Sequence, residues 1–156
     1  MQEFAIYGLP VGRGVMALSP MPRRDADVSA IVAWAPDLVV SMCETHELRG
    51  ALAADLGDIA WCQVPVADFD VPDDRALWAD AQARIGRVLS AEGRVLVHCM
   101  GGCGRSGMAV LRMMVATGEN PEAALVRLRH VRPCAVETDA QQAWAAAQPD
   151  GFRPSA

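Results

Sequence analysis

Lysine is absent, and all fourteen basic residues are arginine. Every cationic contact must therefore come from a planar guanidinium, which suits phosphate and carboxylate through paired hydrogen bonds. Long hydrophobic runs are absent too. The longest are short stretches such as Ala30–Ala35, far below the roughly 18 residues needed to span a bilayer, so no membrane partner is expected. The start, Met1-Gln2-Glu3-Phe4, has neither a positive region nor a long apolar one, and no secretory leader is expected. Positive net charge is missing. The balance is −5, which argues against nucleic acid as the main partner. An even cysteine count is missing as well. Five cysteines, at 43, 62, 99, 103 and 134, in a chain long enough to fold without covalent staples lead to the expectation of free thiols in a reducing cytoplasm.

What is present suits one packed domain over residues 1–156. Hydrophobic residues make up 52% and charged residues 21%, enough for a core and too few charges for disorder. Strand and helix patterns alternate. Residues 4–7 and 15–18 read as short strands around a glycine-containing turn. Residues 25–35 read as a helix with Asp25 as N-cap and Pro36 as the stop. Leu38–Met42 is a β-branched apolar run, the mark of a buried strand. A helix from Thr45 to Leu56, a strand over 59–64 and an aspartate-rich loop over 65–74 follow. Residues 75–90 form a helix with Leu77, Ala81, Ile85 and Leu89 as its apolar stripe, Trp78 and Val88 beside it. Arg94–His98 is another buried strand. Helices follow near 106–116, 121–131 and 137–147. The expected fold is α/β, with a central, mostly parallel sheet flanked by helices.

The informative stretch is His98-Cys99-Met100-Gly101-Gly102-Cys103-Gly104-Arg105-Ser106-Gly107. A strand runs into a glycine-rich loop and then into a helix start. Such a corner is an anion site, because orphan N–H groups and the helix dipole point inward. Gly101, Gly102 and Gly104 let the backbone approach the anion closely. Arg105 can grip two of its oxygens. Cys99 opens the loop, which puts its sulfur beneath the anion in a positive field that favours the nucleophilic thiolate. Rival readings fail on residue types. A nucleotide-binding loop needs Gly at 99 and Lys at 105. A zinc site using His98, Cys99 and Cys103 asks adjacent strand residues, which point to opposite faces, to share one ion.

The stretch resembles the His-Cys-x-x-Gly-x-x-Arg-Ser signature of the cysteine-based protein tyrosine phosphatases. Val64-Pro65-Val66-Ala67-Asp68 is similar to the general-acid loop of their small dual-specificity branch. Arg132-Pro133-Cys134-Ala135-Val136-Glu137-Thr138 through Gln141 is similar to a downstream segment of that branch, and Gly101-Gly102 to kinase-associated-phosphatase-type loops. The likeness covers most of residues 38–144, whereas residues 1–35 match nothing placed firmly. A low-molecular-weight phosphatase or arsenate reductase would carry its loop after the first strand, and here it begins at residue 99.

The resemblance implies a phosphatase fold with the phosphate loop between a central strand and a helix. It implies a cysteinyl-phosphate mechanism without metal or cofactor. Cys99 would be the nucleophile, and Met100, Gly101, Gly102, Cys103, Gly104 and Arg105 would hold the phosphate. Asp68 would be the general acid, ahead of Asp70, Asp73 and Asp74. Ser106 would ease departure of the thiolate, although a helix cap is its plain alternative. Gln141 would place the hydrolytic water, with an exposed helix residue as alternative. His98 would orient the loop. Glu44 or Glu47 is a candidate partner for Arg105. Cys103 is read either as an apolar filler or as a reversible disulfide partner of oxidised Cys99. Cys43, Cys62 and Cys134 are read as core or loop thiols. The implied substrate is a phosphorylated protein, phosphotyrosine first and phosphoserine or phosphothreonine second. Small-molecule, lipid or nucleic-acid phosphomonoesters are the alternatives, as is a silent phosphate-binding adaptor. The loop carries no basic side chain beyond Arg105, which disfavours polyphosphorylated lipids. Arg23-Arg24 and the group Arg127, Arg129 and Arg132 are candidate steering patches.

Overall fold

The computed structural model describes residues 3–147. Residues 1–2 and 148–156 of the expected domain lie outside the described residues. A hairpin comes first: β1 (Tyr7–Val11) and β2 (Gly14–Ser19) pair antiparallel, from Tyr7↔Leu18 to Val11↔Gly14. The turn is Gly12-Arg13, with Gly12 at φ +56°, a conformation that favours glycine. The first strand falls later than the expected 4–7. It includes Pro10, which a strand can carry where it lies at the sheet edge.

The five strands run in the order β1-β2-β5-β3-β4. β3 (Leu38–Ser41), β4 (Ala60–Gln63) and β5 (Arg94–His98) run parallel to one another and to β2. The sheet is thus mostly parallel, as its apolar strand runs imply. Its two faces follow the period of two. Met16, Leu18, Leu38, Val40, Val95 and Val97 face the larger core. Ala17, Val39 and Leu96 face a smaller one with Ile31 and Leu52.

α1 (Asp25–Trp34) and α2 (Leu52–Asp55) serve the smaller core. α3 (Arg75–Ser90), α4 (Gly104–Ala116), α5 (Pro121–Val131) and α6 (Asp139–Ala146) serve the larger. Three local expectations are corrected. The N-cap of α1 is Arg24, and Asp25 is its first helical residue. Leu77 of α3 is 36% exposed, because the buried stripe runs Trp78, Ala81, Ile85 and Leu89. The expected helix 45–56 is a 3₁₀ turn, Thr45–Glu47, followed after Gly50 by the single turn of α2. Arg49 in the break ties it down through Asp25, Asp55 and the Arg23 carbonyl, and tertiary contacts override the helical pattern. No helix among the described residues is long and apolar enough to cross a membrane.

Candidate active site

The corner between β5 and α4 is built as an anion cradle. No backbone N–H from Met100 to Ser106 donates to a protein acceptor among the described residues. These groups lie at the start of α4, where the helix dipole adds positive potential. Gly102 sits at φ +70°, and an added Cβ there would meet the Ser19–Pro20 backbone at 2.6 Å. The loop is held from outside. Arg132 donates to the carbonyls of Gly101 and Gly102 and stacks 4.3 Å over the Tyr7 ring. The Met100 carbonyl accepts from Met21 N–H. With the carbonyls turned outward, the N–H groups are free to converge.

Cys99 lies 2% exposed, its Sγ 3.2 Å from Ser106 Oγ. Ser106 is inside the first turn of α4, so its hydroxyl serves the sulfur and does not cap the helix. Cys43 is a second buried thiol nearby. Burial pushes its pKa up, and Cys99 adds to the effect, which keeps it a neutral packing residue.

Arg105 is 1% exposed. Its Nη1 donates to Glu47 Oε1 at 2.7 Å and to the Val66 carbonyl at 2.9 Å, and its Nη2 donates to Glu47 Oε2 at 3.1 Å. Burial works against the charge, but the hydrogen bond to Glu47 leads the influences that outweigh it and raise the guanidinium pKa. The Arg105 hydrogen bond is the largest influence on Glu47, whose carboxyl pKa is lowered. Of the two glutamates considered, Glu47 is the partner. Arg105 Nε is buried with no hydrogen-bond partner. A buried donor left unpaired is costly, and this one belongs to the residue that closes the cradle, where an anion oxygen would satisfy it.

His98 is fully buried. Trp61 Nε1 donates to Ser41 Oγ, which lies 2.5 Å from His98 Nε2, and His98 Nδ1 lies 3.2 Å from the Cys99 carbonyl. With the Ser41 hydroxyl donating to Nε2, Nδ1–H donates to the carbonyl and fixes the peptide that opens the loop. Burial pushes the imidazole pKa down to about 4, so the ring is neutral across the ordinary range.

Asp68 is the acidic residue of the 65–74 loop that reaches the cradle. Its Oδ1 is 3.5 Å from Arg105 Nη2, and its side chain remains 55% exposed. Asp68 Oδ1 also accepts from Phe69 N–H, as Asp70 Oδ1 does from Val71 N–H, so the approach to Arg105 is what separates the two; Asp74 caps α3. Gln141 is fully buried. Its Oε1 accepts from the N–H groups of Glu137 and Thr138, and its Nε2 donates to the Asp70 carbonyl. It therefore joins the start of α6 to the acid loop and is no exposed helix residue.

One expectation fails, and one candidate patch is found engaged within the protein. Cys103 and Cys134 form a disulfide, leaving Cys43, Cys62 and Cys99 as the free cysteines. Cys103 is thus neither an apolar filler nor a partner waiting for Cys99, Cys134 is not the core or loop thiol expected, and the expectation of free thiols throughout is overturned. Sequence spacing could not pair residues 31 apart. The engaged patch is the one on α5. Arg127 pairs with Glu119, Arg129 donates to the carbonyls of Ala135 and Val136, and Arg132 holds the loop. Arg24 pairs with Asp27.

Comparisons with known proteins bear on this geometry. A family model described as "PTP-SAK: Swiss Army Knife protein, DSP-PTPase phosphatase domain" matches residues 10–148. No curated protein matches the chain. Among solved structures, the active form of Tk-PTP is similar at 31% identity, covering 82% of this chain and 86% of its own, with a TM-score of 0.70. Kinase associated phosphatase (KAP), with its catalytic-site cysteine substituted by serine, is similar over 93% of both chains at 22% identity and a TM-score of 0.80. PTPMT1 in complex with PI(5)P is similar over 90% of this chain and 92% of its own at 16% identity, with a TM-score of 0.72. The last two likenesses concern the fold.

Proposed function

The chain belongs to the PTP-SAK family of DSP-PTPase phosphatase domains, and on that premise we propose that it hydrolyses phosphotyrosine in proteins through a cysteinyl-phosphate. Phosphoserine and phosphothreonine are the wider range of the same cleft. One observation carries the reading: the Cys99 sulfur lies at the foot of a loop whose N–H groups, together with Arg105 Nε, have no partner among the described residues.

The proposed first step is in-line attack by the Cys99 thiolate on phosphorus, forming an S–P bond as the P–O bond to the leaving group breaks. Asp68 gives its proton to the departing oxygen. Arg105 and the loop N–H groups hold the three equatorial oxygens, where charge spreads in the transition state. In the second step water attacks the cysteinyl-phosphate. Asp68 takes its proton, Gln141 helps place it, and Ser106 donates to the returning thiolate. The side-chain amide of Gln141 is already engaged with Asp70 and the start of α6. Its water-placing role thus depends on one of those bonds opening as the acid loop moves. Glu47 and His98 position Arg105 and the loop. No step needs a metal. The loop side chains of Met100, Gly101, Gly102, Cys103 and Gly104 carry no charge, which favours a single phosphate over a polyphosphorylated lipid.

The test is hydrolysis of p-nitrophenyl phosphate in EDTA, from mildly acidic to neutral pH, by the wild type and by Cys99→Ser. Turnover that vanishes in the variant supports the reading. Absence of turnover by the reduced wild type with retained phosphate binding would replace it with a phosphate-binding adaptor.

A further inference from the structure

We propose that the Cys103–Cys134 pair is a redox modification site at which a small dithiol, or its cyclic disulfide, sets the affinity of the loop for phosphate. The inference rests on the loop being a phosphate site, but not on turnover. Cys103 is a loop residue and the residue preceding α4; its sulfur lies on the outer side of the loop, 3.6 Å from the Gly101 carbonyl oxygen. Cys134 lies on the segment that braces the loop from outside, between Arg132 and Val136. Three further links hold that brace: Arg132 to the carbonyls of Gly101 and Gly102, and the Val136 N–H to the Cys103 carbonyl. Opening the disulfide therefore leaves the loop supported. What changes is chemical.

The two sulfurs differ in access and in leaving ability. Cys134 is exposed, whereas Cys103 is half-buried, with Arg132 Nη2 3.7 Å from its Sγ. An incoming thiolate reaches the Cys134 sulfur, and the better-stabilised thiolate leaves on Cys103. One thiol of the reductant forms a mixed disulfide with Cys134 as the Cys103–Cys134 bond breaks. The second thiol then displaces Cys134 and closes the reductant into its cyclic disulfide. Two electrons pass to the protein with one proton, taken by Cys134; the reductant's other proton goes to solvent and Cys103 is released as the thiolate. The released Cys103 sulfur, beside a guanidinium and a helix start, is in surroundings that favour the thiolate. Its negative charge, one residue before α4, then repels the bound anion across the loop. The oxidised pair is neutral and does not. Reduction thus weakens phosphate binding, and oxidation restores it. This is the reverse of the protection that a reductant gives Cys99 itself.

The experiment uses Cys99→Ser protein, in which inorganic phosphate binds without turnover, titrated while loop amide resonances are followed. Protein equilibrated with oxidised dithiothreitol is compared with protein in the reduced reagent, and the thiol state of each is read by alkylation and mass spectrometry. The expected result is a Kd about 3- to 10-fold weaker on reduction, recovered on re-oxidation. Adding Cys134→Ser gives the weak value in both conditions. A Kd equal in the two states, two alkylated sulfurs without reductant, or a Cys134→Ser protein whose affinity still responds to the reagent would each overturn the proposal. Redox-dependent binding in a protein that never hydrolyses phosphomonoesters would instead overturn the catalytic reading alone.

Discussion

Replacing Glu47 by glutamine isolates what holds the Arg105 fork. Glu47 offers one oxygen to each Nη nitrogen, at 2.7 and 3.1 Å. Glutamine keeps one acceptor and sets an NH2 group against the other Nη, donor facing donor. One hydrogen bond to a charged group is lost, at about 1.5–3 kcal/mol. Arg105 is 1% exposed and the Glu47 side chain 15% exposed, so solvent does little to soften the loss. If the fork must be fixed for Nε and Nη2 to meet phosphate oxygens, kcat/KM on p-nitrophenyl phosphate falls roughly 10- to 150-fold. Steady-state kinetics with a melting curve on the same sample separate misplacement from unfolding. A folded Glu47→Gln protein with kcat/KM within twofold of wild type would refute the reasoning. The pair also has a pH signature. The Glu47 pKa is depressed on folding, chiefly by its Arg105 hydrogen bond. Its contribution is therefore complete above the ordinary carboxylate range and is lost only as pH falls through the lowered value. An inactivation centred near neutrality would have another source.

Asp68→Asn should lower kcat by about 10²- to 10⁴-fold, the usual worth of a general acid, and flatten one limb of the pH–rate profile. Asp70→Asn should be far milder, because the Asp70 carboxylate only closes its own turn; kinetics that rank the two variants the other way would transfer the role to Asp70. His98, with its pKa pushed down to about 4 by burial, makes folding less favourable as pH falls below about 6.5, its ordinary value. The penalty grows until the folded-state value is reached, and is on the order of 3 kcal/mol. Urea titrations at several pH values should show a flatter acid limb in His98→Asn than in wild type, and identical slopes would mean that His98 is not the group responsible.

The chemistry of the cradle was legible from residues 94–107 because it is local. A strand, a glycine-rich turn and a helix start are contiguous in the chain, so Cys99, Arg105 and Ser106 are placed together by backbone geometry alone. The parallel sheet was legible for a similar reason, since β-branched runs separated by helices have few other ways to pack. The acid loop could be located but not resolved among its aspartates, because each satisfies the same composition. Only the fold separates Asp68, beside Arg105, from Asp70 and Asp74.

What the tertiary structure decided are the pairings across long separations. Strand order β2-β5-β3 puts the end of β3 beside the end of β5. That brings Ser41 to His98 and the following turn, with Glu47, to Arg105. The helical pattern of 45–56 yields there because Glu47 and Arg49 gain buried or paired contacts that a continuous helix does not supply. The union of Cys103 with Cys134, and the use of Arg132 as a brace, likewise depend on where α5 delivers the chain. Hydrophobic periodicity encodes which face of an element is buried. It carries no record of which distant residue that face will meet.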